Sequence, residues 1–193
     1  MIDYIISTER LGLRTWIESD IDPFVQMNED KEVMKYFLKT LSHSESVEMM
    51  KRIQLHFQNN GFGLYAVEHK ETKQFIGFTG FSIPTFDASF TPCIEIGWRF
   101  KKEFWRQGLA TEAALACLTY GFDILNFDQI VSFTSVLNVN SEKVMKRIGM
   151  TFQEYFDHPK VENNNPLLRH VLYTIDNANR ISHFQKLQNL TKK

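Results

Sequence analysis

The sequence predicts a mixed α/β fold: a mainly antiparallel central sheet of about seven strands with helices on both faces. Three observations lead there. Short β-branched and aromatic runs recur at intervals and are bounded by polar turns. Between them lie stretches whose apolar residues repeat at helical spacing. One strand–helix–strand unit, Cys93 to Leu137, needs a crossover, so its two strands should run parallel while the neighbouring hairpins pair antiparallel.

The elements follow in order. Ile5 to Trp16 reads as a first strand. Ser19, Asp20 and Asp22 supply helix-start chemistry, and a short helical region runs towards Phe37. Ser42-His43-Ser44-Glu45 has the spacing of a capping box. Val47, Met50, Ile53 and Phe57 then repeat at near-helical intervals until Asn59-Asn60-Gly61 stops the helix. Leu64 to Glu68 and Phe75 to Phe81 form a hairpin around the turn His69 to Lys73. Cys93 to Phe100 is the next strand. Ala110, Ala113, Ala114, Cys117, Gly121 and Phe122 share one helical face. Gln129 to Leu137 is a strand, and Ser141 to Ile148 a short helix closed by Gly149. Thr151 to Phe156 and His170 to Ile175 are the last strands, and the stretch after Asp176 is a further helix or a fraying tail.

Composition narrows the class. A chain of 193 residues without repeats or linkers suits one domain, 1–193, with a core of about 7–176. A net charge of −1, with Lys and Arg scattered, lacks the basic stripe of nucleic-acid binding. The first residues resemble neither a signal peptide nor an anchor, and no run reaches spanning length. A soluble protein without membrane partners is expected. Cys93 and Cys117 sit in apolar stretches without metal-site spacing and read as reduced core residues, which fits the cytoplasm.

The informative stretch is Ile94-Glu95-Ile96-Gly97-Trp98-Arg99-Phe100, followed after four residues by Trp105-Arg106-Gln107-Gly108-Leu109-Ala110-Thr111-Glu112-Ala113. A strand feeds a tight turn and an Ala-rich helix starts at once. The first helical turn leaves N–H groups unsatisfied, and its dipole favours negative charge. Gly108 permits close approach, and Arg106 and Thr111 can supplement the amides, so the arrangement suits a diphosphate. The plainer reading is a helix after a Gly turn with Arg106 as a surface charge. The stretch is neither a Walker loop nor a dinucleotide fingerprint.

Trp105 to Ala110 resembles the acetyl-CoA signature of the GNAT superfamily, Gln/Arg-x-x-Gly-x-Gly/Ala. Gly108 and Ala110 match it, while Trp105 departs at the first position. Thr8-Glu9-Arg10-Leu11, Glu95-Ile96-Gly97-Trp98, Ala110-Thr111-Glu112-Ala113 and Asn138-x-Asn140-Ser141 are similar to the ribosomal-protein N-acetyltransferase-like branch. The resemblance covers roughly residues 7 to 176. It implies a GNAT-like acyl-CoA N-acyltransferase fold and acetyl transfer from acetyl-CoA to an amine, by direct attack in a ternary complex. The strand ending at Trp98 and Phe100 would splay to pair with the pantetheine arm. The turn from Arg106 through Gln107, Gly108, Leu109 and Ala110 to Thr111 would hold the pyrophosphate. Asn138 and Ser141 would face the pantetheine and thioester, although Asn138 and Asn140 also read as helix caps.

The reaction needs a neutral amine. A Lys-like amine of pKa near 10.4 is only about one part in 10³ neutral at pH 7, a deficit of roughly 4–5 kcal/mol, whereas an α-amine near pKa 8 needs about 1.4 kcal/mol. Glu95, pointing away from Ile94 and Ile96, is the candidate base, directly or through water; a cross-strand ion pair or a solvated strand residue is the other reading. The superfamily's usual Tyr acid is replaced at the matching position by Met145, which leaves Ser141 or water to protonate the thiolate. His158 and His170 flank the last loop and titrate near neutrality, as bases, acceptor contacts or structural hydrogen bonders. Two His with Asp157 invite a metal reading, but their separation and the lack of further ligands argue against one, so no metal is expected. Phe104, Trp98 and Trp105 either line a groove or belong to the core. The acceptor is a small-molecule amine or a protein N-terminus, and the protein a monomer or homodimer. The alternatives are a non-catalytic acyl-CoA-binding or sensing protein and a nucleotide-binding protein.

Overall fold

A computed structural model describes residues 3–178 of the chain. They divide into two compact units, 3–82 with Ile96–Cys117, and Ile83–Glu95 with 118–178. Eight strands and four α-helices are present among the described residues, and the strands are mostly antiparallel with one parallel pair. This is the mixed α/β class that the sequence predicts.

In the first unit the strand order is β1 (Ile6–Ser7), β2 (Leu11–Arg14), β3 (Leu64–His69), β4 (Gln74–Ser82) and then β5, which begins at Glu95 and ends at Phe100. The single first strand expected from Ile5 to Trp16 is broken in two. The Thr8 hydroxyl accepts from the Leu11 N–H, and the Thr8 N–H donates to the Leu11 carbonyl, so the chain folds back between β1 and β2. β2 pairs antiparallel with β3, Leu11 against His69, and β3 with β4, Leu64 against Gly80. Gly77 has φ of +149°, and a Cβ there would lie 2.3 Å from the Arg99 carbonyl oxygen. Only glycine fits that approach of β5 to β4.

Helices α1 (Ile21–Glu29) and α2 (His43–Asn60) pack their apolar faces on this unit's core. Trp16, Phe24, Phe75 and Phe78 meet there in edge or tilted contacts, with ring centroids 4.8–6.4 Å apart. The capping box at Ser42 is complete: its Oγ accepts from the Glu45 N–H, and Glu45 Oε2 accepts from the Ser42 N–H at 2.8 Å. Gly61 ends α2 in the left-handed conformation. Asp20 differs from its expected role. Its carboxylate makes no cap bond to α1 but is buried against Arg14.

In the second unit, Glu95 of β5 pairs in parallel with Val131 of β6 (Gln129–Ser135). β8 (Arg169–Asp176) lies antiparallel between β6 and the edge strand β7 (Thr151–Asp157). α3 (Leu109–Asp123) precedes β6, and α4 (Val139–Arg147) follows it. The expected structure after Asp176 falls, from residue 179, outside the described residues.

Candidate active site

The first unit holds the turn that opens α3. β5 ends at Phe100 and a short 3₁₀ turn covers Lys102–Phe104. The Trp105 indole N–H donates to the Phe100 carbonyl at 2.8 Å, which pins the turn to the strand end. The chain then reverses through two left-handed residues, Arg106 (φ 60°) and Gly108 (φ 78°). Glycine takes that conformation freely, whereas Arg106 holds it at a cost. Leu109, 1% exposed, anchors the helix start, while Arg106, Gln107 and Gly108 are exposed.

The first hydrogen bond of α3 runs from the Glu112 N–H to the Gly108 carbonyl, so the amides of Leu109, Ala110 and Thr111 have no acceptor within the helix. Ala113, Ala114 and Cys117 bury the opposite side. A cradle of outward amides with an exposed cation beside it is the chemistry an anionic diphosphate requires.

A brace across the turn was not foreseen from the sequence. Arg10 donates from Nε to Glu112 Oε2 (2.7 Å) and from Nη1 to the Gln107 carbonyl (3.0 Å), and Thr8 Oγ1 donates to Glu112 Oε1 (2.6 Å). Burial pushes the Glu112 carboxyl up, but the bonds from Thr8 and Arg10 outweigh it and hold the group below its ordinary value. Both stretches, Thr8 to Leu11 and Ala110 to Ala113, carried the family resemblance, yet nothing in either marks the other as its partner.

On β5, Ile96 and Phe100 are buried, and Gly97 and Trp98 are half-buried. Phe100 therefore serves the core through its ring, and its carbonyl is taken by Trp105. Arg99 is buried as well.

In the second unit, Glu95 is half-buried at the head of β5, in register with Val131. The neighbouring Cys93 thiol is pushed up to about 11, by burial first and then by the Glu95 charge. Asn138 caps α4: Oδ1 accepts from the Ser141 N–H (3.3 Å), and Nδ2 donates to Thr134 Oγ1 (3.1 Å). The cap is thus Asn138, and Asn140, expected to cap, is an exposed residue of the first turn. Ser141 is half-buried there, and Met145, one turn on, is buried at 1% exposure.

His158 and His170, twelve residues apart in the chain, come together with ring centroids at 4.9 Å. Phe86, Phe133 and Phe156 surround them, and all five rings are half-buried. Two expectations change. The separation used against a metal site is closed in space, but no group of three or more His, Cys, Asp or Glu among the described residues could hold a metal ion. His158 also does not titrate near neutrality: burial first, then the charges of His170 and Lys160, lower it to about 4. Burial lowers His170 too, against the bond at its Nδ1 to the Leu168 carbonyl. Both rings are neutral at pH 7, which makes them weak bases and suits them to hydrogen bonding.

Comparison with known proteins identifies the family. The family model described as an acetyltransferase (GNAT) domain matches residues 10–151. The chain belongs to the GNAT acetyltransferase family, whose reaction is acetyl transfer to amines. It is similar to YkkB, an uncharacterized protein of Bacillus subtilis, at 30% identity over 148 residues, 76% of this chain and 85% of that protein. Among solved structures, a GNAT-family acetyltransferase from Bacillus anthracis superposes with a TM-score of 0.73 at 26% identity, covering 89% of this chain and 97% of the other. A spermidine N-acetyltransferase from Vibrio cholerae, in complex with CoA and spermine, shares the fold with a TM-score of 0.72 at 19% identity, over 90% and 99% of the two chains. Among the described residues no helix is long and apolar enough to cross a membrane.

Proposed function

We propose that this chain, as one domain of the ribosomal-protein N-acetyltransferase-like branch, transfers the acetyl group of acetyl-CoA to a primary amine of a small molecule or protein N-terminus. The observation that carries the reading is the turn Arg106–Gly108, whose left-handed residues lead into the open amides of Leu109, Ala110 and Thr111. The family match runs through both units, which supports treating them as one catalytic domain.

In this reading the amides from Gln107 to Thr111, with Arg106, hold the diphosphate of acetyl-CoA, and the backbone of Trp98 and Phe100 pairs with the pantetheine. Asn138 and Ser141 serve the thioester end. The amine nitrogen attacks the thioester carbonyl carbon, the C–N bond forms and the C–S bond breaks. The proton lost from nitrogen goes to Glu95, directly or through water, and the CoA thiolate takes a proton from Ser141 or solvent. A thiol of pKa near 8.5 asks little of that acid, consistent with a buried Met145 at the place where the family has Tyr. His158 and His170, as neutral rings, contact the acceptor.

Calorimetric titration with acetyl-CoA tests the reading. Binding should weaken by about tenfold or more in Gly108→Val, because a β-branched residue at φ 78° is strained by 1–3 kcal/mol. Its Cβ would stand 3.6 Å from Arg10 Nη2, an ordinary contact, so the loss is conformational. Glu95→Gln should keep acetyl-CoA binding while thiol release with an amine panel falls. No heat with the wild-type chain ends the proposal.

A further inference from the structure

The first unit buries a second cation that the acetyl-transfer reading does not use. Arg99 is 8% exposed on β5, a position where an apolar residue would need no solvation. Its Nη1 donates to Asn28 Oδ1 at 2.6 Å. Asn28 is itself fully buried and oriented by a bond from its Nδ2 to Ser46 Oγ at 3.1 Å, with Ser46 also fully buried. A polar chain from α2 through α1 to β5 therefore ends on this guanidinium. Phe37 covers it at 4.1 Å from the ring centroid and Phe78 stands at 5.2 Å.

What the site lacks is an anion. No carboxylate among the described residues pairs with Arg99, and its Nε is buried without a partner. Asn28 occupies Nη1, so the remaining edge of the fork is Nε with Nη2, two parallel donors that fit the two oxygens of one carboxylate. Burial pulls the group down to about 9, which still leaves it charged at neutral pH. Ring faces and one amide oxygen compensate a desolvated cation only in part. The cover lies at the surface: Phe37 is 42% and Leu38 58% exposed, on a segment between α1 and α2 that contains turns and bends without a regular helix or strand and is anchored by the buried Val33 and Met34.

We propose that Arg99 anchors a binding site for a small organic carboxylate with an apolar body. The carboxylate takes the Nε–Nη2 edge once Phe37 swings aside, and the apolar body packs against Phe37 and Leu38. The site stands independently of acetyl transfer.

Fluorine NMR on the full chain, without acetyl-CoA, tests it with 4-fluorobenzoate as probe and 4-fluorobenzyl alcohol as the neutral control of the same shape. The wild-type protein should bind the carboxylate at least about tenfold more tightly than the alcohol, the discrimination of one charge-assisted pair. Arg99→Gln should erase that preference, and Arg99→Lys should keep part of it. Should Arg99→Gln fail to fold, the Arg99 Nε–H resonance of wild-type protein decides, since it must move on saturation with the carboxylate and stay with the alcohol. Equal affinity for the two probes, no binding of 4-fluorobenzoate, or a preference unchanged in Arg99→Gln overturns the site.

Discussion

Two arginines of the same unit are buried to nearly the same depth and solvated in opposite ways. Arg14 on β2 is 3% exposed and meets two carboxylates: Asp20, at 2.6 and 2.9 Å from Nη1 and Nη2, and Glu68, at 3.2 Å from Nε. Burial lowers its pKa, but the bonds and charges of Asp20 and Glu68 outweigh that and hold it above the ordinary value. Tyr4 closes the network by donating its hydroxyl to Glu68 at 2.6 Å. Arg99 has an amide oxygen and two rings, and burial prevails. The chain can thus supply counter-charges where a buried cation is structural. Arg14 ties β2, β3 and the entry to α1 together, whereas the counter-ion of Arg99 must come from outside.

The sharpest break of this comparison is to make both sites apolar. Arg14→Met strands two buried carboxylates and should lower unfolding free energy by about 3–5 kcal/mol, measured by urea denaturation. Arg99→Met removes an unpaired charge and strands only Asn28 Oδ1, so its effect should run from neutral to a gain of about 1–4 kcal/mol. Similar losses at the two positions would show that Arg99 is as structural as Arg14.

The same contrast explains what the sequence could disclose. Local chemistry was legible: Ser42 and Glu45 lie three residues apart, and Gly61 follows the last apolar turn, so the ends of α2 could be read directly. The parallel pair β5–β6 followed from the crossover between them, and the turn at Gly108 from a strand meeting an Ala-rich helix. Partnerships across long separations were not legible. Asp20 reads as a helix-start residue because its spacing to Ile21 is local, while its bond to Arg14 depends on how β2 is placed. Arg10 and Glu112 are 102 residues apart, and His158 and His170 approach only because β7 and β8 pair with Phe156 opposite His170. The break at Thr8 was masked by the β-branched Ile5 and Ile6 before it and the apolar Leu11 and Leu13 after it, which suit a strand whether or not a turn interrupts it.

A half-exposed pair extends the comparison downward in energy. Arg10 and Glu112 are 42% and 20% exposed, so solvent screens their attraction. Arg10→Gln should change unfolding free energy by no more than about 1 kcal/mol. It should nonetheless weaken acetyl-CoA binding, because Arg10 holds the Gln107 carbonyl and thereby the amides that follow. A stability loss as large as that of Arg14→Met would place this pair with the structural network instead.

His158 shows a third response to burial, in which the group gives up its charge. Its pKa falls from 6.5 to about 4 because burial, with His170 and Lys160 nearby, disfavours the imidazolium. The unfolded chain therefore binds more protons than the folded one between those values. Stability that is complete above about pH 6.5 is lost progressively as the pH falls towards 4. His158→Phe keeps a ring among Phe86, Phe133 and Phe156 and removes the titration, so melting temperatures measured across that window should decline less steeply than in the wild type. His170 still contributes, since burial lowers it too, so the slope is reduced and not abolished. An unchanged slope would mean that His158 charges freely in the folded state, and that the second unit solvates the imidazolium despite its burial.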